Sequence, residues 1–118
     1  MKKRAPDPGD FLPLTPAIAH ILLALADRDR HGYAIMQEID RITGGAVRMG
    51  PGTLYGTIKR MIATGLLDEA DERPDAEMDD ERRRYYRATV LGRAVLAAET
   101  TRMAGLVSAA RAKRVRAR

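Results

Sequence analysis

The chain has no cysteine, no tryptophan and only one phenylalanine among its 118 residues. Without thiols, disulfides, zinc–thiolate sites and thiol nucleophiles are excluded. With so few aromatics, the core is expected to be aliphatic and any ligand pocket to lack aromatic walls. The two histidines, His20 and His31, have no paired-carboxylate motif around them and no metal-ligand spacing, so no metal and no cofactor is expected. His31 reads instead as a turn or helix-start residue. No stretch approaches the roughly 18 uninterrupted apolar residues of a membrane span, and no long apolar run opens the sequence. A soluble, cytoplasmic protein with no membrane partner is the expectation. No nucleophile paired with a base, no carboxylate pair and no phosphate-binding loop stands out, so an enzyme is not expected.

What is present is charge, unevenly spread. The net charge is +5. Between residues 68 and 81 nine acids face one base, Arg73, so that segment carries −8 and the remainder +13. A body this basic favours an anionic partner such as nucleic acid. The length suits one domain with a modest core.

The most informative stretch runs from Pro51 to Ile62. Leu54, Ile58, Met61 and Ile62 recur at helical spacing and form an apolar stripe. Gly56, Lys59, Arg60 and Ala63 take the opposite side, with Thr53 and Tyr55 on its flanks. The stripe is expected to dock while the other face offers two cations, a hydroxyl, a phenol and little bulk. Such a face suits close approach to a polyanion; the plainer alternative is a solvated surface helix.

In chain order, residues 1–13 hold prolines, a glycine and a basic cluster without apolar period, and read as a flexible basic arm. Thr15-Pro16 supplies a cap and a first-turn proline for a helix carrying Ile18, Ile21, Leu22 and Leu25 and ending near Asp27. A second amphipathic run follows His31-Gly32-Tyr33, with Ile35, Met36, Ile39 and Ile42 along one side, and Gly44-Gly45 stops it. Ala46 to Met49 reads as a short extended segment. The third helix spans Pro51 to about Thr64. Leu66-Leu67 and Arg82-Arg83-Arg84-Tyr85-Tyr86-Arg87 read as two strands of a hairpin, with one tyrosine facing the core and one facing out. From Thr89 the chain reads as helical to about Lys113, a rod of roughly 37 Å.

The expected fold is mainly α with a small β-hairpin, a winged helix-turn-helix followed by a C-terminal helix. Residues 14 to about 98 resemble the PadR-like family of winged-helix transcriptional regulators. The resemblance rests on His31-Gly32-Tyr33, Pro51-Gly52-Thr53-Leu54-Tyr55, Lys59-Arg60, Gly65-Leu66-Leu67, and Arg83-Arg84-Tyr85-Tyr86-Arg87-Ala88-Thr89 with Gly92, in that order. It implies a homodimer that binds double-stranded operator DNA as a repressor, the third helix in the major groove and the hairpin as a wing. Residues 14–88 would then form the DNA-binding domain, and residues 89–118 a dimerisation helix with a basic tail.

On this reading Thr53, Tyr55, Gly56, Lys59 and Arg60 face DNA. Many relatives of that family carry proline at the position of Gly56 and a capping Ser or Thr near that of Gly50, so the third helix here is expected to be less rigid at its start. The wing tip, Asp71 to Asp80, is acidic where phosphate would repel it, so Arg82, Arg83 and Arg84 are expected to make the wing's contacts. On the last helix Leu91, Val95, Ala98 and Leu106 form one stripe and Leu96, Met103, Val107 and Ala110 another. A lone helix cannot bury both. One is expected to pack on the domain and the other, assigned as Leu96, Met103, Val107 and Ala110, on a symmetry mate. A small-molecule effector is left open and unidentified. The rival reading is a winged-helix protein–protein interaction module, which the acidic wing would suit.

Overall fold

The computed structural model describes residues 6–70 and 84–116. Among these, α1 (Pro16–Ala24), α2 (Gly32–Ile42), α3 (Pro51–Ala63) and α4 (Val90–Ala112) are joined by the short strands β1 (Arg30–His31), β2 (Leu67–Ala70) and β3 (Tyr85–Ala88). The strands form one antiparallel sheet in the order β1-β3-β2. Leu67 lies opposite Ala88 and Glu69 opposite Tyr86, while Arg30 pairs with Tyr86 from the other side. A helical body with a small hairpin is therefore what the periodicities foretold. The third strand, β1, was not foreseen, because two residues are too short to display any alternation.

Local chemistry sets the helix starts. Thr15 accepts a hydrogen bond from the Ile18 amide, with Pro16 in the first turn of α1. His31 caps α2, its Nδ1 accepting from the Ala34 amide at 3.1 Å. That acceptor role leaves the Nδ1 position without a proton, and the ring packs edge-on against Tyr85. Thr89 caps α4 by accepting from the Gly92 amide at 2.9 Å, and its hydroxyl lies 2.6 Å from the Gly65 carbonyl oxygen. The same threonine thus starts α4 and ties it to the exit of α3. Gly65 turns that exit with φ +84°, a conformation other L-residues avoid.

α1 ends at Ala24 rather than near Asp27. The Arg30 Nε donates to the Ala24 carbonyl at 2.8 Å, closing the helix from outside. The same guanidinium lies 3.2 Å from Asp27 and 3.7 Å from Glu38 of α2, which joins the two helices. Residues 46–49 form no strand. The Val47 amide donates to the Thr43 hydroxyl, which caps the end of α2 by donating to Ile39.

The core is aliphatic as expected, built from Ile21, Leu22, Leu25, Ile35, Ile39, Leu54, Ile58, Met61, Leu66, Leu67 and Val95, with Tyr86 as its aromatic member. Tyr86 is buried and Tyr85 half-buried against His31, which matches one inward and one outward tyrosine. Two glycines are set by close approach. A Cβ on Gly92 would collide with the Leu66 carbonyl oxygen, and one on Gly32 would meet the Tyr55 ring at 2.6 Å.

Part of the expected N-terminal arm is built into the fold. Pro8–Phe11 forms a 3-10 turn capped by Asp7, and Phe11, Leu12 and Leu14 pack against the core. The anchor is Glu99 of α4, only 2% exposed, which accepts from the Leu14 amide at 2.8 Å and from Arg102. The hydrogen bond from Arg102 holds the Glu99 carboxyl below its ordinary range; burial opposes this and the Leu14 amide assists it. Reading 8–13 as an arm therefore overlooked apolar anchors spaced too irregularly to show a period. Residues 1–5 lie outside the described residues.

α4 is 23 residues long, roughly 35 Å at 1.5 Å per residue. Its first half packs through Leu91, Gly92, Val95 and Glu99, whereas residues 101–109 are exposed throughout. Leu106, expected on the packed stripe, is 65% exposed, because the helix has run past the body by that point. Among the described residues, no helix is long and apolar enough to cross a membrane.

Candidate nucleic-acid interface

α3 turns its apolar residues inward and its cations outward. Leu54, Ile58 and Met61 are buried, while Thr53, Lys59 and Arg60 are exposed and Gly56 is half-exposed. Ile62 is only partly covered and packs at the edge of the core. The fourth buried position is Thr57, 3% exposed, which the stripe as read omitted. Positions 54, 57, 58 and 61 follow the i, i+3, i+4, i+7 template, so spacing could have found it; its polar side chain hid it.

The start of α3 is open. Gly50 occupies the cap position, and no side chain caps the helix there. Gly52 and Thr53 at this end are exposed. First-turn amides left in this way, at the positive end of a helix dipole, favour an anion. Tyr55 departs most from expectation. Its half-buried ring lies over Gly32 at the start of α2 and packs against the core, so it braces α3 against α2 rather than standing out from the helix.

The wing lies beside this helix. A groove of about 340 Å³ between α3 and the sheet is lined by Tyr55, Ile58, Lys59, Ile62, Glu69, Arg84 and Tyr86. Arg84 and Lys59 thus border one cleft, whose lining also holds Glu69, 3.8 Å from the Arg84 guanidinium. Arg87, on the outward side of β3, pairs instead with Asp29 at 3.4 Å. Arg82, Arg83 and the acidic tip 71–80 lie outside the described residues.

The expected pairing face on α4 shares no lining residue with this cleft. Met103 and Val107 are 49% and 47% exposed, and Ala110 is half-exposed. Leu96 is partly buried against the core, and with Leu23 and Met103 it lines a groove of about 350 Å³ between α1 and α4.

An α2–turn–α3 pair with a β-hairpin wing and a long trailing helix defines the winged helix-turn-helix class. The chain belongs to the PadR-like family of transcriptional regulators, whose family model matches residues 21–98. It is 44% identical over 77 residues to the transcriptional regulator Rv3488 of Mycobacterium tuberculosis, a match covering 65% of this chain and 65% of that protein. The chain therefore spans somewhat less than two thirds of that relative's length. In fold it is similar to a transcriptional regulator from Clostridium thermocellum, with a TM-score of 0.66 at 24% identity over 85% of this chain and 90% of that one. A PadR family transcription regulator from Clostridium difficile also gives a TM-score of 0.66, at 21% identity over 82% and 96% of the two chains.

Proposed function

We propose that this protein is a homodimeric, sequence-specific DNA-binding regulator that represses transcription by occupying a palindromic operator. The observation that carries the reading is the outer face of α3, where Thr53, Lys59 and Arg60 are exposed around the small Gly56 and Lys59 shares a cleft with Arg84 of the wing. α3 enters the major groove. Lys59, Arg60 and Arg84 neutralise phosphates or reach base edges, Thr53 and the open first turn of α3 take a phosphate, and Gly56 keeps the duplex close. Tyr55 contributes by fixing the angle of α3 against α2, and Arg82 and Arg83, next to Arg84 in the sequence, add positive charge for phosphate.

Two copies pair through the second half of α4, with Met103, Val107 and Ala110 at the seam and Leu96 at its inner end. Residues 14–88 act as the DNA-binding unit and residues 89–118 as the dimerisation helix and basic tail. Two recognition helices related by a two-fold axis then meet half-sites about 34–36 Å apart or a multiple of that. The protein works in the cytoplasm and needs no cofactor.

The test is duplex binding followed by fluorescence anisotropy across a salt series. Affinity should fall linearly on a log–log plot, and Lys59→Ala and Arg84→Ala should each reduce the slope by about 0.9 for every phosphate the removed cation neutralises. Slopes unchanged in both would remove α3 and the wing from the backbone contacts. The exposed carboxylates Asp68 and Glu69 on β2 favour one rival, a protein-interaction module with a basic partner. Such a module would bind duplex DNA weakly and with no base preference.

A further inference from the structure

Thr57 is polar, buried and adjacent to the proposed DNA face. Its hydroxyl donates to the Thr53 carbonyl at 2.7 Å, one turn back along α3, and accepts from the Arg60 Nη2 at 3.3 Å. The other end of the same guanidinium lies across Gly56: a Cβ built there would stand 3.7 Å from Arg60 Nη1. Thr57 thus holds Arg60 by a hydrogen bond from the core side, and the guanidinium lies at ordinary contact distance from the Gly56 position.

An exposed arginine on a helix ordinarily samples many rotamers and loses that freedom on binding. Arginine is most selective when its planar fork is already aimed, since a bidentate pairing with guanine O6 and N7 tolerates little angular error. Arg60 has five N–H donors, and the contact to Thr57 engages one of its two terminal nitrogens. Its remaining donors stay available beyond the helix surface.

We propose that Thr57 is a positioning residue that aims Arg60 at a guanine edge, making Arg60 a determinant of sequence preference rather than a general phosphate contact. This rests on the operator-binding reading above. Thr57 itself touches no DNA; it acts through Arg60.

The experiment compares affinity for the duplex selected by the wild-type protein with affinity for a scrambled duplex, in wild type, Thr57→Val, Thr57→Ser, Thr57→Ala and Arg60→Ala. The double variants Thr57→Val/Arg60→Ala and Thr57→Ala/Arg60→Ala complete the set. Thr57→Val should lower the selected-to-scrambled ratio about tenfold, the scale of one bidentate base contact. Thr57→Ser, which keeps the hydroxyl, should restore it. Thr57→Ala, which removes the same hydroxyl with less bulk, should lower the ratio by a similar factor and carries the test if Thr57→Val does not fold. Neither substitution should change the ratio further once Arg60 is alanine.

Three results would overturn the inference while leaving operator binding intact: an unchanged ratio in Thr57→Val and Thr57→Ala, an equal loss on both duplexes, or the same loss in the Arg60→Ala background. A wild-type protein that retains no duplex at all would overturn the operator reading, and this inference with it.

Discussion

The same substitution, glycine to alanine, should have opposite effects at two positions of α4. At Gly92 a Cβ would collide with the Leu66 carbonyl oxygen and lie 3.1 Å from the Leu66 carbonyl carbon and 3.2 Å from Leu22 Cδ2. The carbonyl is backbone, and it already accepts from the Thr89 amide at 3.1 Å, so it cannot swing aside without loosening the junction of β2 and α4. Overpacking of this kind costs about 1–3 kcal/mol. Helix propensity returns up to about 1 kcal/mol, leaving a net loss of up to about 2 kcal/mol. At Gly105 a Cβ meets nothing within 4 Å, so only the propensity gain of about 0.5–1 kcal/mol remains.

With about 4 °C per kcal/mol for a domain of this size, Gly92→Ala should melt several degrees below wild type and Gly105→Ala a few degrees above it. Circular dichroism melts with urea titrations would measure both. Because dimer stability varies with protein concentration, each variant should be run at two concentrations. A Gly92→Ala protein as stable as wild type would refute the close packing of α4 on β2. Destabilisation by Gly105→Ala would mean that the exposed half of α4 is tightly packed in the assembly.

Thr89→Ala removes the cap of α4 and its tie to Gly65, and should cost about 0.5–2 kcal/mol in urea titrations. Glu99 gives stability a pH dependence: its folded-state carboxyl is held below the unfolded value, so its contribution is complete above about 4.5 and is lost as pH falls through the lower folded value. Glu38, lowered first by its hydrogen bond from Arg41, acts in the same direction. Urea midpoints from pH 6 to pH 3 should therefore fall less steeply in Glu99→Gln than in wild type. Val107→Glu places a charge on the exposed side of α4 and should convert a dimer to a 13.0 kDa monomer in sedimentation, leaving the melting of the isolated fold little changed.

The parts of the fold that local chemistry decides were legible in the residues. Thr15-Pro16 and Thr89 announced their helices, and Leu54, Ile58 and Met61 placed the buried side of α3, because caps and periods depend on neighbours within one turn. What escaped depends on distant partners. Glu99 reads as one more surface acid on a helix, and only the Leu14 amide, 85 positions away, makes it an anchor. Tyr55 looked like a phenol presented to a ligand until Gly32 supplied the gap its ring fills. Leu106 obeyed the period of the packed stripe, yet period cannot say where the body ends. At the candidate interface Lys59 and Arg60 were legible as outward cations, but the contacts of Arg60 with Thr57 and Gly56 were not, since they require the rotamer as well as the register.

Selection from random duplex DNA with the purified protein at near-physiological salt, followed by sequencing of the bound pool, tests the central claim most directly. The account predicts a two-fold symmetric motif with half-sites spaced by one helical turn or a multiple of it. A bound pool that stays random, or no retained DNA, would contradict sequence-specific operator binding through α3.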